Sequence, residues 1–177
     1  MRHGLILAVL FLLGNVAVAD EKFTLSGENT KIEFVGSKTD GKHTGGFKKL
    51  TGTASIDGDV STLKVEVEIA MDSTYADDEK LTAHLKSPDF FGVKAHPKAT
   101  FKSTKVAKSD AGADITGELT LNGKSKEITV PAKVESKDGV LTLNSEFKID
   151  RNDFGIVYGK GKIDSEVALK VAISAKK

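Results

Sequence analysis

Three histidines stand beyond the first nineteen residues, His43, His84 and His96, and histidine is the side chain best suited to bind a metal or move a proton near neutral pH. A metal site would need them to converge with a carboxylate such as Asp78 or Asp89, yet none shows a metal-binding spacing of its own. His84 is expected to hydrogen-bond within its own segment and His43 to sit in solvent. For bond-making chemistry the chain is poor: it has no cysteine nucleophile and no Gly-x-Ser-x-Gly elbow. Gly159-Lys160-Gly161-Lys162 lacks the strand-to-helix setting of a phosphate loop. Arg151 with Asp153 is the best remaining polar pair, and its expected work is to fix a bend through an ion pair. No enzymatic activity, metal or cofactor is expected.

The elements that must position these residues are strands. From Lys31 the chain alternates, with Ile32, Phe34 and Gly36 on one side; Leu50, Gly52, Ala54 and Ile56 follow the same rule. The clearest strand carries Leu63, Val65, Val67, Ile69 and Met71 on one face and Lys64, Glu66 and Glu68 on the other. Asp40-Gly41 and Gly45-Gly46 bracket His43 in what reads as a glycine-rich turn. One stretch, 81–101, breaks the strand pattern. Asp77 can cap a short helix there, Asp78 and Glu79 suit its first turn, and Leu81 and Leu85 share a face. Pro88 stops the helix, Phe90 and Phe91 follow as a gate or a plug, and His96-Pro97 starts a new extended segment. The stretch reads as a lid.

Two turns set the register of the second half. Asn122-Gly123 as a two-residue turn pairs Ile115 with Val130 and Gly117 with Ile128. Asp138-Gly139 sets Val134 opposite Leu143, Ala132 opposite Ser145, Val130 opposite Phe147 and Ile128 opposite Ile149. Gly155, Gly159 and Gly161 suggest a bend before a last strand through Val167, Leu169, Val171 and Ile173. Eight strands with one apolar face and one helical insertion suit an antiparallel barrel or a sandwich. Large residues (Phe34, Val65, Val67, Phe101 and Leu119, then Phe147, Ile149, Leu169 and Val171) share the inward face with small ones (Gly36, Gly52, Ala54, Gly117, Ala132 and Ser145). That mixture implies an apolar tunnel, the alternative being that the same face is simply a packed core. So few polar groups enter the face that a sugar or nucleotide is excluded and a hydrocarbon chain favoured.

Residues 1–19 read as a signal peptide: Arg2 and His3, the apolar run Leu5 to Leu13, then Ala17-Val18-Ala19 as a cleavage site. Removing the first 19 of the 177 residues leaves one domain, 20–177, with 25 basic and 25 acidic residues and no cysteine. A net charge of zero gives neither nucleic acid nor an anionic membrane anything to be drawn to over long range. The protein is expected to be periplasmic or secreted; transient membrane contact and a homodimer are left open.

Leu81 to Phe91 followed by His96-Pro97-Lys98-Ala99-Thr100-Phe101 resembles the signature of the YceI-like family, bacterial lipocalin-like barrels associated with polyisoprenoid lipids. Ile115 to Gly123 and Arg151-Asn-Asp-Phe154-Gly-Ile156 resemble two further stretches of that family. The resemblance implies an all-β, eight-stranded antiparallel lipocalin-like barrel with one short helical lid. It also implies a carrier that sequesters a long apolar chain, a polyisoprenoid or quinone tail, in the tunnel. The residues expected to touch that tail are Phe34, Gly52, Val65, Val67, Phe101, Gly117, Leu119, Phe147, Ile149, Leu169 and Val171, with Phe90 and Phe91 at the mouth. A stress-related interaction protein whose barrel is only a scaffold is the alternative, and it predicts that leucine at Gly117 or Gly52 leaves function intact.

Overall fold

The computed structural model describes residues 20–110 and 112–177; the expected signal peptide lies outside the described residues. Within them the chain forms eleven strands and one α-helix. The first half runs β1 (Glu21–Ser26), β2 (Thr30–Lys38), β3 (Gly41–Phe47), β4 (Leu50–Asp57), β5 (Asp59–Ala70) and β6 (Thr74–Ala76). The helix α1 (Glu79–Lys86) follows, then β7 (Lys98–Ser109), β8 (Gly112–Leu121), β9 (Lys124–Lys137), β10 (Val140–Asp150) and β11 (Ile163–Lys176). All strand pairs are antiparallel, in the order β1-β4-β5-β7-β8-β9-β10-β11-β2-β3-β6. The sheet is curled, with β1 at one edge of the order and β6 at the other. β3 pairs with β6, β4 pairs with β5, and Lys48 N donates to Ser73 O while Ala70 N donates to Lys49 O between the two pairings.

Eleven strands replace the expected eight for local reasons. β1 is short, but its alternation buries Phe23 and Leu25 almost completely. β3 occupies the stretch expected to be a glycine turn. A Cβ on Gly45 would lie 2.4 Å from the Phe34 ring and 2.4 Å from Tyr75 O, so glycine is there because an aromatic ring and a neighbouring strand cover it. β6 is split from β5 by a 3-10 turn, Met71–Ser73.

Both two-residue turns take the left-handed conformation at both residues: Asn122 and Gly123 at φ 50° and 73°, Asp138 and Gly139 at 53° and 73°. Ile115 pairs with Val130 and Gly117 with Ile128, as expected. Val134 pairs with Leu143, but the β9–β10 ladder stops one pair later at Lys133–Asn144. The expected pairs Ala132–Ser145, Val130–Phe147 and Ile128–Ile149 are not in the ladder. Pro131 has no N–H to continue it, and the Ser145 hydroxyl donates to Pro131 O at 2.6 Å instead.

The registers give the curled sheet two unlike ends. At one end lie the turns Asp57–Asp59 and Asp138–Gly139 and the tip of β1, packed solid by Phe23, Leu25, Leu63, Leu141 and Ala175. At the other lie the β2–β3 turn, α1, the Asn122-Gly123 turn and the segment 151–162.

Candidate functional site

At that second end the sheet encloses a hollow. Its outer section, about 290 Å³, is walled by strand residues and roofed by α1 and the segment after it. An inner section of about 110 Å³ adjoins it, sharing Ile32, Ile69, Leu119 and Leu169 as common wall. Together they reach the lower end of the size range of small-molecule sites. Phe23 and Leu25 of β1, seated over β4, fill the space beyond, so the hollow is blind rather than a through-tunnel.

Of the residues expected inside, Phe34, Phe90, Phe91, Leu119, Ile149 and Leu169 line the outer section. Val65, Val67, Phe101, Phe147 and Val171 line the inner one. Gly52 and Gly117 line neither. A Cβ on Gly52 would sit 2.2 Å from Glu66 O, and one on Gly117 would sit 2.5 Å from Lys102 O and 2.6 Å from the Phe101 ring. These glycines permit close strand approach and ring cover; they do not create empty space. Ala54 and Ala132 are buried in packed wall opposite Phe23 and Ala113. Two of the small set do border the hollow: Gly36 lines the outer section, where a Cβ meets nothing within 4 Å, and Ser145 lines the inner one.

The lid is fastened at both ends. Asp78, not Asp77, is the helix cap, accepting from Leu81 N at 2.7 Å. Asp77 instead reaches back to β3, accepting from Thr44 N at 2.9 Å and meeting His43 Nδ1 at 3.0 Å. The Thr44 amide first, and His43 second, hold the Asp77 carboxyl below its ordinary range. The cap falls to Asp78 because Thr82, four residues on, takes both sides of the junction: its hydroxyl donates to Asp78 O and accepts from Ala76 N. After Lys86 the chain descends through turns, with Phe91 N donating to Leu85 O at 3.0 Å.

Phe90 and Phe91 diverge into two aromatic clusters. Phe91 packs with Phe34 and Phe47, centroids 6.4 and 6.0 Å away, and Phe34 with Phe47 at 5.8 Å. Phe90 packs with His84 at 4.9 Å and Tyr158 at 5.3 Å, and His84 with Tyr158 at 4.8 Å. The two phenylalanines roof the hollow from opposite sides.

The histidines do not converge. His84 Nε2 lies 3.0 Å from Asp89 Oδ2, within the lid as expected. His43 is half-buried against the hollow rather than in solvent, and His96 packs against the Asn122-Gly123 turn. Among the described residues no group of three metal-ligating side chains forms.

Arg151 is 5% exposed and lines the hollow, and its partner is not Asp153. Lys126 takes Asp153. The guanidinium instead donates to four backbone carbonyls: Asp164 O at 2.9 Å, Ile156 O and Tyr158 O at 2.8 Å, and Ile163 O at 3.1 Å. Burial pushes its pKa down. A fork of five donors is the side chain that can gather four carbonyls of a bend, a role the glycines of 155–161 hint at but sequence proximity to Asp153 obscured.

The chain matches, over residues 23–175, the family model described as a YceI-like domain. It is 32% identical to protein YceI of Salmonella newport, covering 94% of this chain and 91% of that one. BcnA of Burkholderia cenocepacia superposes with a TM-score of 0.76 at 25% identity, over 83% of this chain and 96% of that one. A domain from Saccharophagus degradans, described as polyisoprenoid-binding and implicated in plant cell wall breakdown, superposes at 0.67 over 88% and 98%. At 15% identity it shows the shared fold. The chain therefore belongs to the YceI-like family.

Proposed function

We propose that this member of the YceI-like family is a carrier that encloses the apolar tail of a lipid of the polyisoprenoid or quinone class. The observation that carries the reading is the division of the hollow. Its walls are almost wholly aliphatic and aromatic, with Ser145 and Thr30 as the polar side chains of the inner section. The polar groups Ser37, Lys38, His43, His84, Arg151 and Asp164 gather around the outer section. A tail gains roughly 0.8 kcal/mol for each methylene it buries there. No hydrogen bonds are needed along the tail, and its head group stays at the mouth.

The wall reads best as eight staves, three of them broken: β1 with β2, β3 with β4, and β5 with β6. The broken staves let the lid and β1 close the two ends of the barrel differently. Among the described residues the histidine and arginine side chains at the hollow are already engaged within the protein. His43 is engaged by Asp77, His84 by Asp89, and Arg151 by four carbonyls. The reading includes export, with cleavage before Asp20 and work in the periplasm or outside the cell. The polyisoprenoid description of the Saccharophagus domain supports the ligand class at the level of shared fold.

The test is mass spectrometry of lipids extracted from protein purified from its native host, followed by titration of the stripped protein with long-chain isoprenoids. A copurifying prenyl lipid, or saturable uptake of one, is expected. An empty protein that takes up no such lipid would sink the proposal.

A further inference from the structure

Val157 and Tyr158 are the large apolar side chains that stand exposed among the described residues, at 56% and 45%. Scattered singly, such residues mean little. Here they are adjacent, and Tyr158 also lines the hollow. Arg151 holds the carbonyls of Ile156 and Tyr158, so the main chain on both sides of Val157 is fixed and the pair is presented outward by a rigid bend.

Lysines follow them in the segment and lie on the turn that packs against it. Thr39 N donates to Lys162 O and Lys38 pairs with Ile163, which brings the β2–β3 turn against the segment after Tyr158. Lys38, Lys42, Lys160 and Lys162 are all exposed on the rim at this end, as are the carboxylates Asp77, Asp89 and Asp153, engaged by His43, His84 and Lys126, and Asp40 and Asp164. Other exposed lysines of the sheet, such as Lys98, Lys102 and Lys108, form ion pairs with acidic neighbours. These four rim lysines are in no ion pair among the described residues.

We propose that this rim docks on an anionic phospholipid bilayer, with Val157 and Tyr158 entering the interface and the rim lysines meeting lipid phosphates. A tyrosine with an apolar body and polar tip suits the head-group layer, and unpaired lysines beside it supply attraction to an anionic leaflet. The proposal rests on the carrier reading, because docking here turns the mouth of the hollow toward the lipid source. Tyr158 touches His84 and Phe90 of the lid, so its entry into the interface would pull directly on the roof.

Flotation with prenyl-free vesicles of phosphatidylglycerol and phosphatidylethanolamine tests the docking without reference to the hollow, while lipid uptake is measured separately on the same protein. Wild type is expected to float with the vesicles at low salt, less at high salt, and not with neutral phosphatidylcholine alone. V157D and the pair K160Q/K162Q should each weaken binding about tenfold or more with lipid uptake unchanged. Wild type that stays soluble while still taking up lipid overturns the docking and leaves the carrier reading standing. Flotation unaffected by either variant overturns it too. So does a concentration-dependent dimer abolished by V157D, which would assign the rim to a second copy.

Discussion

Replacing Gly36 by leucine separates a carrier from a scaffold better than any other single change. Gly36 sits on β2 between Val167 and His43, and a side chain there points into an outer section of about 290 Å³ with nothing within 4 Å of its Cβ. Leucine adds four carbons to that space. If each displaces about one methylene of a bound tail at roughly 0.8 kcal/mol, affinity falls by about 3 kcal/mol, roughly a hundredfold. Stability moves the other way. The new side chain fills void, and removing a strand glycine adds about 0.5–1 kcal/mol, so the melting temperature should rise by several degrees. Gly36→Ala should give a smaller change of the same sign in both measurements. The assay is titration of stripped protein with a long-chain prenyl lipid, beside calorimetric melting. Unchanged affinity in a G36L protein that melts higher than wild type would show that the tail does not occupy this space.

Arg151→Ala removes four hydrogen bonds at about 1 kcal/mol each, partly offset by relief of a buried charge. A net loss of about 3 kcal/mol should lower melting by about 10 °C. Arg151→Lys should recover little, because one ammonium cannot span four carbonyls. The Asp77 carboxyl is held below its ordinary range. Its bond to the Thr44 amide should therefore stand above that range and be lost as pH falls through the lowered value, read as the Thr44 hydrogen-exchange protection factor. Gly117→Leu should destabilise by about 1–3 kcal/mol, since its Cβ alone would meet Lys102 O and the Phe101 ring. Chemical denaturation measures the loss. Protein stripped of lipid should melt about 5–10 °C below the loaded form at saturating ligand.

What the sequence disclosed follows its periodicity. Long alternating runs such as Leu63 to Ile69 and the Asn122-Gly123 turn with its register have one reading, and the structure holds both, whereas the Asp138-Gly139 turn forms but its register ends at Lys133–Asn144 beside Pro131. Glycine has several. Gly45 and Gly117 are covered by rings, Gly52 by a neighbouring strand, and Gly36 by nothing. The symbol is the same in all four, and only the third dimension says which opens space. Charge was equally ambiguous: Asp153 lies two residues from Arg151 but belongs to Lys126, twenty-seven residues away. The blind end went unread because β1 is only six residues long, too brief for its alternation to stand out from a leader and a turn.

The hollow itself needs explaining, because close packing is the default of protein interiors. At ~24 cal/mol per Å³ an outer section of about 290 Å³ costs as much as about 7 kcal/mol against a filled core, comparable with the whole stability of many domains. Walls free to relax would collapse into it. The structure shows what prevents this: Phe34, Phe47 and Phe91 brace one another across the roof, and Arg151 stiffens the rim through four carbonyls. The lid is tied at Asp77 and again where Phe91 N meets Leu85 O. Phe23 and Leu25 meanwhile pack the far end solid. Such rigidity spent on preserving a void makes sense when something else fills it, and an apolar tail recovers the lost contacts without needing a single hydrogen bond along its length.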